Sequence, residues 1–109
     1  MARFVRGDVV VVPFPFSDLT QTKRRPALVL KDLPEEDLIL CQITSQTVRN
    51  AAAFLIDLTD FQQGSLNKLS NVRPDRLFTA NQGLILYEAG SLKAEKMTEV
   101  LTKVRDLFI

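Results

Sequence analysis

Four consecutive valines, Val9 to Val12, follow the turn pair Gly7-Asp8 and run directly into Pro13. Valine is stiff at χ1 and suits a pleated strand, and a run of four is too short to argue for a helix. The Phe14-Pro15-Phe16 that follows ends regular pairing, because proline donates no ladder hydrogen bond. Similar segments recur. Pro26-Ala27-Leu28-Val29-Leu30 restarts an apolar strand, with proline at its first position. After a turn at 34–37, residues 38–43 (LILCQI) form a third strand and 54–58 a fourth. Residues 60–69, around Gly64, read as an irregular loop. Residues 70–79 carry a fifth strand disrupted at Pro74, and 83–88 a sixth, followed by a turn at Ala89-Gly90.

The period changes near the carboxyl end. Met97, Val100, Leu101, Val104, Leu107 and Phe108 recur at helical spacing, with charged residues on the other side. This predicts a helix over about 93–107, with Ser91 as its N-cap. The expected fold is mainly β with α: a small, barrel-like antiparallel sheet closed by one C-terminal amphipathic helix. With 109 residues, it forms a single domain over 1–109.

The chain contains no histidine and one cysteine, Cys41. That excludes, within one chain, histidine acid–base catalysis, a Ser–His–Asp triad, histidine zinc ligands and a cysteine-built metal site. No cofactor or metal is expected. No apolar run approaches the roughly 20 residues that span a bilayer, and the amino terminus lacks the layout of a signal peptide. The expectation is a cytoplasmic protein without a membrane partner. Fourteen basic and 13 acidic residues balance to +1. Coating nucleic acid by charge alone is therefore disfavoured, but a local basic patch is compatible with this balance.

The densest patch is Lys23-Arg24-Arg25, at the end of the polar segment 17–25 (SDLTQTKRR). Arginine presents a planar fork that suits phosphate oxygens and stays charged at any relevant pH. A second candidate is Thr44-Ser45-Gln46-Thr47, where hydroxyls and an amide gather at a strand end and can meet a phosphate or a base edge. Taken alone, each patch is more commonly explained by solubilising-loop or turn chemistry. Ser70, Arg73 and Arg76 form a further polar stretch, which ordinary strand alternation also explains. Cys41 reads as a small buried hydrophobe and Tyr87 as core or rim.

In order and spacing, these segments resemble the MazF/PemK family of toxin endoribonucleases. The resemblance rests on Gly7-Asp8 with the valine run, Lys23-Arg24-Arg25-Pro26-Ala27-Leu28-Val29-Leu30, Ile43-Thr44-Ser45-Gln46, the stretch from Ser70 to Thr79, and the Gly90-Ser91-Leu92 helix entry. It implies an SH3-like barrel, a homodimer, metal-free cleavage of single-stranded RNA, and a cognate antitoxin that blocks the substrate groove. Carried over by position, the catalytic residues fall on Arg25 and Thr44. Phe16, Asp18, Thr20, Lys23, Arg24, Ser45 and Gln46 lie around them as substrate-binding candidates, with Phe14 and Phe16 available to stack on bases. The segment before Arg25 departs from the family's Gly- and Glu-containing stretch, which leaves the cleavage sequence open. A same-fold gyrase-inhibiting toxin and a non-catalytic RNA- or peptide-binding barrel are the alternative readings.

Overall fold

The valine run becomes β1 (Asp8–Pro15) in the computed structural model, which describes residues 4–15, 22–45 and 53–109. The other strands are β2 (Thr22–Asp32), β3 (Asp37–Thr44), β4 (Phe54–Ile56), β5 (Phe61–Gly64), β6 (Ser70–Asn81) and β7 (Tyr87–Leu92). One helix, α1 (Ala94–Asp106), follows them. The strands form one sheet in the order β4-β6-β3-β2-β1-β7-β5, and every pairing is antiparallel. The sheet curls into an open half-barrel, with β4 and β5 as its edges.

Val9 to Val12 are all buried because β1 is central and covered on both faces. One face gathers Val9, Leu28, Leu30, Cys41, Ile43, Ile56, Val72 and Leu92 against Met97 and Val100 of α1. The other gathers Val10, Val12, Ala27, Val29, Leu38 and Leu40, with Phe4, Phe78 and Ile85 packed on them. Fully burying one such aliphatic side chain contributes roughly 1.5–3 kcal/mol. The larger core and its helix hold the sheet's curvature, and the smaller core leaves part of its face for polar groups.

Several expectations change in detail. β2 begins at Thr22, four residues before Pro26, so Lys23, Arg24 and Arg25 are strand residues paired with Phe14, Pro13 and Val12. The span 60–69 is not all loop: Phe61–Gly64 pairs with β7. β4 stops at Ile56 because Asp57 turns the chain, its carboxylate accepting from Thr59 N–H at 2.8 Å. Residues 82–84 form a turn, with Asn81 Oδ1 accepting from Gly83 N–H, and the last strand lies further along than 83–88.

Ala89-Gly90 is not a turn but lies within β7. Gly90 faces Gly64, and a Cβ on either would overlap the other strand's backbone. Glycine serves there for close approach. Ser91 is consequently a strand residue, and Lys93, without a side-chain cap, precedes the helix. The buried helical stripe ends before Leu107 and Phe108, which are exposed. The disruption at Pro74 takes the form of a bulge inside a continuous β6. Pairing steps from Gln42–Arg73 to Cys41–Leu77, so Pro74, Asp75 and Arg76 have no opposite residues.

Asp8 anchors the entry to β1. Its buried carboxylate accepts from Val5 N–H at 3.0 Å and shares a hydrogen bond with Glu88 of β7. Loss of some hydration, then the Asp8 charge, then this hydrogen bond hold the exposed Glu88 carboxyl above its ordinary value of 4.5. The resulting stabilisation is complete below pH 4.5 and is lost as pH rises through the raised value. Glu88→Gln, which mimics the protonated acid, should therefore raise the thermal midpoint at neutral pH and lose that advantage below about pH 4.5. Melting curves at the two pH values check this, and an equal effect at both would contradict it.

Candidate active site

In an antiparallel ladder, opposed residues project from the same face, and faces alternate along each strand. Arg25 is opposed to Val12 and two residues from Ala27, so it lies on the face of the smaller core, at the end where that core stops. Ala27 is opposed to Gln42 on β3. Carrying that register two residues on sets Arg25 opposite Thr44. β6 extends both rows, with Asn71 opposite Thr44 and Arg73 opposite Gln42. Opposed Cβ atoms in such ladders stand about 4.5–5.5 Å apart. Two neighbouring rows result: Arg25, Thr44 and Asn71, then Ala27, Gln42 and Arg73.

All five polar members of these rows are half-buried. The Nε of Arg25 is shielded from solvent, so the inner edge of its guanidinium is seated in the protein. Arg73 is held by Asp75, donating from Nη2 to Oδ2 at 3.0 Å and more weakly from Nε to Oδ1 at 3.4 Å. Gln42 Oε1 is buried with no donor among the described residues. A buried acceptor left in that state costs about 1–3 kcal/mol. Gln42 also lines a groove of about 380 Å³ with Asp75, Arg76, Leu77 and Phe78. These rows bring together two guanidinium groups, one of them paired with the neighbouring Asp75, a hydroxyl donor and two amides.

The structure sorts the expected site residues. Arg25 and Thr44 share a face, each two residues beyond the Ala27–Gln42 pair. Lys23 shares their face and is exposed, whereas Arg24, opposed to Pro13, projects from the opposite face. Ser45 is an exposed bend residue just beyond β3. Phe14 pairs with Lys23 in the backbone ladder. Phe16, Asp18, Thr20 and Gln46 lie outside the described residues. Of the polar stretch on β6, Arg73 joins the site. Ser70 is buried and donates to Lys68 O at 2.9 Å, and Arg76 is exposed. Gln42 and Asn71 were not among the expected site residues. Their sequence signal is an amide within an otherwise apolar strand and another beside Val72. Among the described residues, no three Asp, Glu or Cys side chains gather as metal ligands, and no helix is long and apolar enough to cross a membrane.

A family model described as "PemK-like, MazF-like toxin of type II toxin-antitoxin system" matches residues 5–108. Curated protein sequences give no match. Among solved structures, an endoribonuclease in complex with its cognate antitoxin from Mycobacterial species superposes with a TM-score of 0.75 at 13% identity, over 94% of this chain and 92% of that one. MazE–MazF from Deinococcus radiodurans also gives 0.75, at 19% identity over 95% and 94% of the two chains. Mycobacterium tuberculosis toxin MazF-mt6 gives 0.68, at 18% identity over 91% and 95%. At these identities the likeness is one of fold.

Cys41 lies outside the site. It is buried in the helix-covered core, on the opposite face of β3 from Gln42. Burial pushes its thiol up to about 12, against a weaker opposing hydrogen bond with the Leu28 backbone. A thiol in that state is a poor nucleophile. A thiol reagent at pH 8 should leave Cys41 unmodified in the folded protein and label it at once in denaturant. Rapid labelling of the folded protein would contradict this burial.

Proposed function

Because the chain belongs to the PemK-like, MazF-like toxin family of type II toxin–antitoxin systems, we propose that it is an endoribonuclease toxin that cleaves single-stranded RNA through the RNA's own 2′-hydroxyl. The observation that supports the reading is the Ala27–Gln42 register, which, continued two residues along each strand, brings Arg25 toward Thr44 on one face, although 18 residues intervene in the chain. The 2′-hydroxyl gives up its proton to water as its oxygen attacks the adjacent phosphorus, the bond from phosphorus to the 5′-oxygen breaks, and the leaving oxygen takes up a proton from water. The products are a 2′,3′-cyclic phosphate and a 5′-hydroxyl.

Such a reaction needs in-line positioning and stabilisation of the extra negative charge on a pentacoordinate phosphorus. Arg25 supplies the cationic fork and Thr44 a hydrogen-bond donor. Lys23 and Arg73, on the same face, attract the flanking phosphates. Arg24 projects from the other face and stands apart from this work. The partners that follow are single-stranded RNA, a cognate antitoxin that covers this polar face, and a second copy of the chain in a homodimer.

Purified protein incubated with RNA in EDTA should yield fragments with 5′-hydroxyl ends. Arg25→Ala and Thr44→Val should each lose about 10²–10³ in rate, the usual effect of removing one preorganised donor. Arg24→Ala should lose far less. Equal losses for Arg24→Ala and Arg25→Ala would remove Arg25 from its role, and intact RNA with the unaltered protein would overturn the activity.

A further inference from the structure

Gln42 occupies an unusual position in its strand. Leu38 and Leu40 share its face and are wholly buried, yet one step closer to Thr44 the same face carries a carboxamide. Its Oε1 faces inward with no donor among the described residues, so no internal hydrogen bond there fixes the amide's orientation. The last torsion of a glutamine is soft, and rotation about it turns Oε1 toward the groove shared with Asp75, Arg76, Leu77 and Phe78. That groove adjoins the Arg25–Thr44 row. Gln42 is two residues from Thr44 on the same face, about 7 Å along the strand. A single nucleotide separates its phosphate from its base by a similar reach.

From this juxtaposition we infer that Gln42 determines sequence specificity, reading the Watson–Crick edge of one base that flanks the scissile phosphate. The inference rests on the RNA-cleaving reading of the Arg25–Thr44 site. A carboxamide offers one donor and one acceptor side by side, which matches a base edge presenting the complementary pair. Unstacked single-stranded bases expose that edge. Phe78, opposite Leu40 on the face of Gln42, supplies an apolar wall for the base, and Arg76 adds a cation at the groove for the neighbouring backbone. Before RNA enters, Oε1 lacks a protein donor among the described residues; an N–H of the base provides one. A base without a suitably placed N–H leaves the acceptor unsatisfied and is disfavoured.

The test measures cleavage rates on short RNAs randomised around the cut, together with anisotropy binding of the same RNAs, for the unaltered protein, Gln42→Leu and Gln42→Glu. Circular dichroism monitors folding. With the unaltered protein, one position beside the cut should show a preference of roughly 5- to 150-fold. Gln42→Leu should flatten the preference at that position and leave the other positions as they were. Gln42→Glu retains an acceptor and replaces the amide donor with a second acceptor. It should move the preference at the same position toward guanine, whose N1–H and N2 amino group are adjacent donors. Unchanged preferences in both variants, or a uniform loss across all sequences, would overturn the role of Gln42 while cleavage dependent on Arg25 stands. Neither cleavage nor binding by the unaltered protein would overturn the RNA reading and Gln42's role together.

Discussion

Ala27, Leu28 and Val29 face Gln42, Cys41 and Leu40 across the β2–β3 ladder, and that register governs both cores and the site. Side chains alternate with a period of two, so a slip of one residue would turn every side chain of one strand to the opposite face. Arg25 would then point toward the core that holds Ile43 and Val72, and Leu28 would leave it. Burying an unpaired guanidinium is costly enough to suppress the slip. The same alternation that buries Leu28 and Leu30 beneath α1 therefore delivers Arg25 to the other face. Folding energy and site geometry share one cause.

The two faces divide the work unequally. The helix-covered face is apolar from Val9 on β1 to Val72 on β6, and Met97 and Val100 seal it. The opposite face has only a partial cover, in which Phe4, Phe78, Ala80 and Ile85 pack on six core residues. Where that cover ends, the strand positions become half-buried and polar: Arg25, Thr44, Asn71 and Arg73. Half-burial suits a charged group that must act on an anion. It restricts the conformations of the side chain and weakens competition from water.

Strong local patterns made much of this legible in the sequence. Valine runs and proline punctuation identified the central strands, and a six-residue apolar stripe identified the helix. The errors fall where tertiary contacts override local signals. Gly90 looks like a turn residue, but Gly64 lies against it on β5, and only two strands without side chains at that point can approach so closely. Ser91 looks like an N-cap, but Leu92 is drawn into the core and delays the helix to Ala94. Lys23 and Arg25 look like loop residues until pairing with β1 makes them a strand. Arg25 and Thr44 could be named as candidates from motif order. Arg73 and Gln42 required the β3–β6 register, which no local pattern encodes.

Pro74 shows how a residue that damages a ladder can help to build a site. Without an N–H it cannot complete the pairing of β6 with β3, and three residues pass before pairing resumes at Leu77. The displaced segment does not weaken the core, because Pro74 itself is buried and Val72 keeps its place beneath the helix. Asp75 and Arg76 are left facing solvent. From there Asp75 turns back to hold Arg73, and Asp75 and Arg76 line a groove beside Gln42 together with Leu77 and Phe78. An uninterrupted ladder would have continued the alternation past Arg73 and closed that space. The bulge thus supplies the groove, and the register on either side of it supplies the polar row next to which the groove opens.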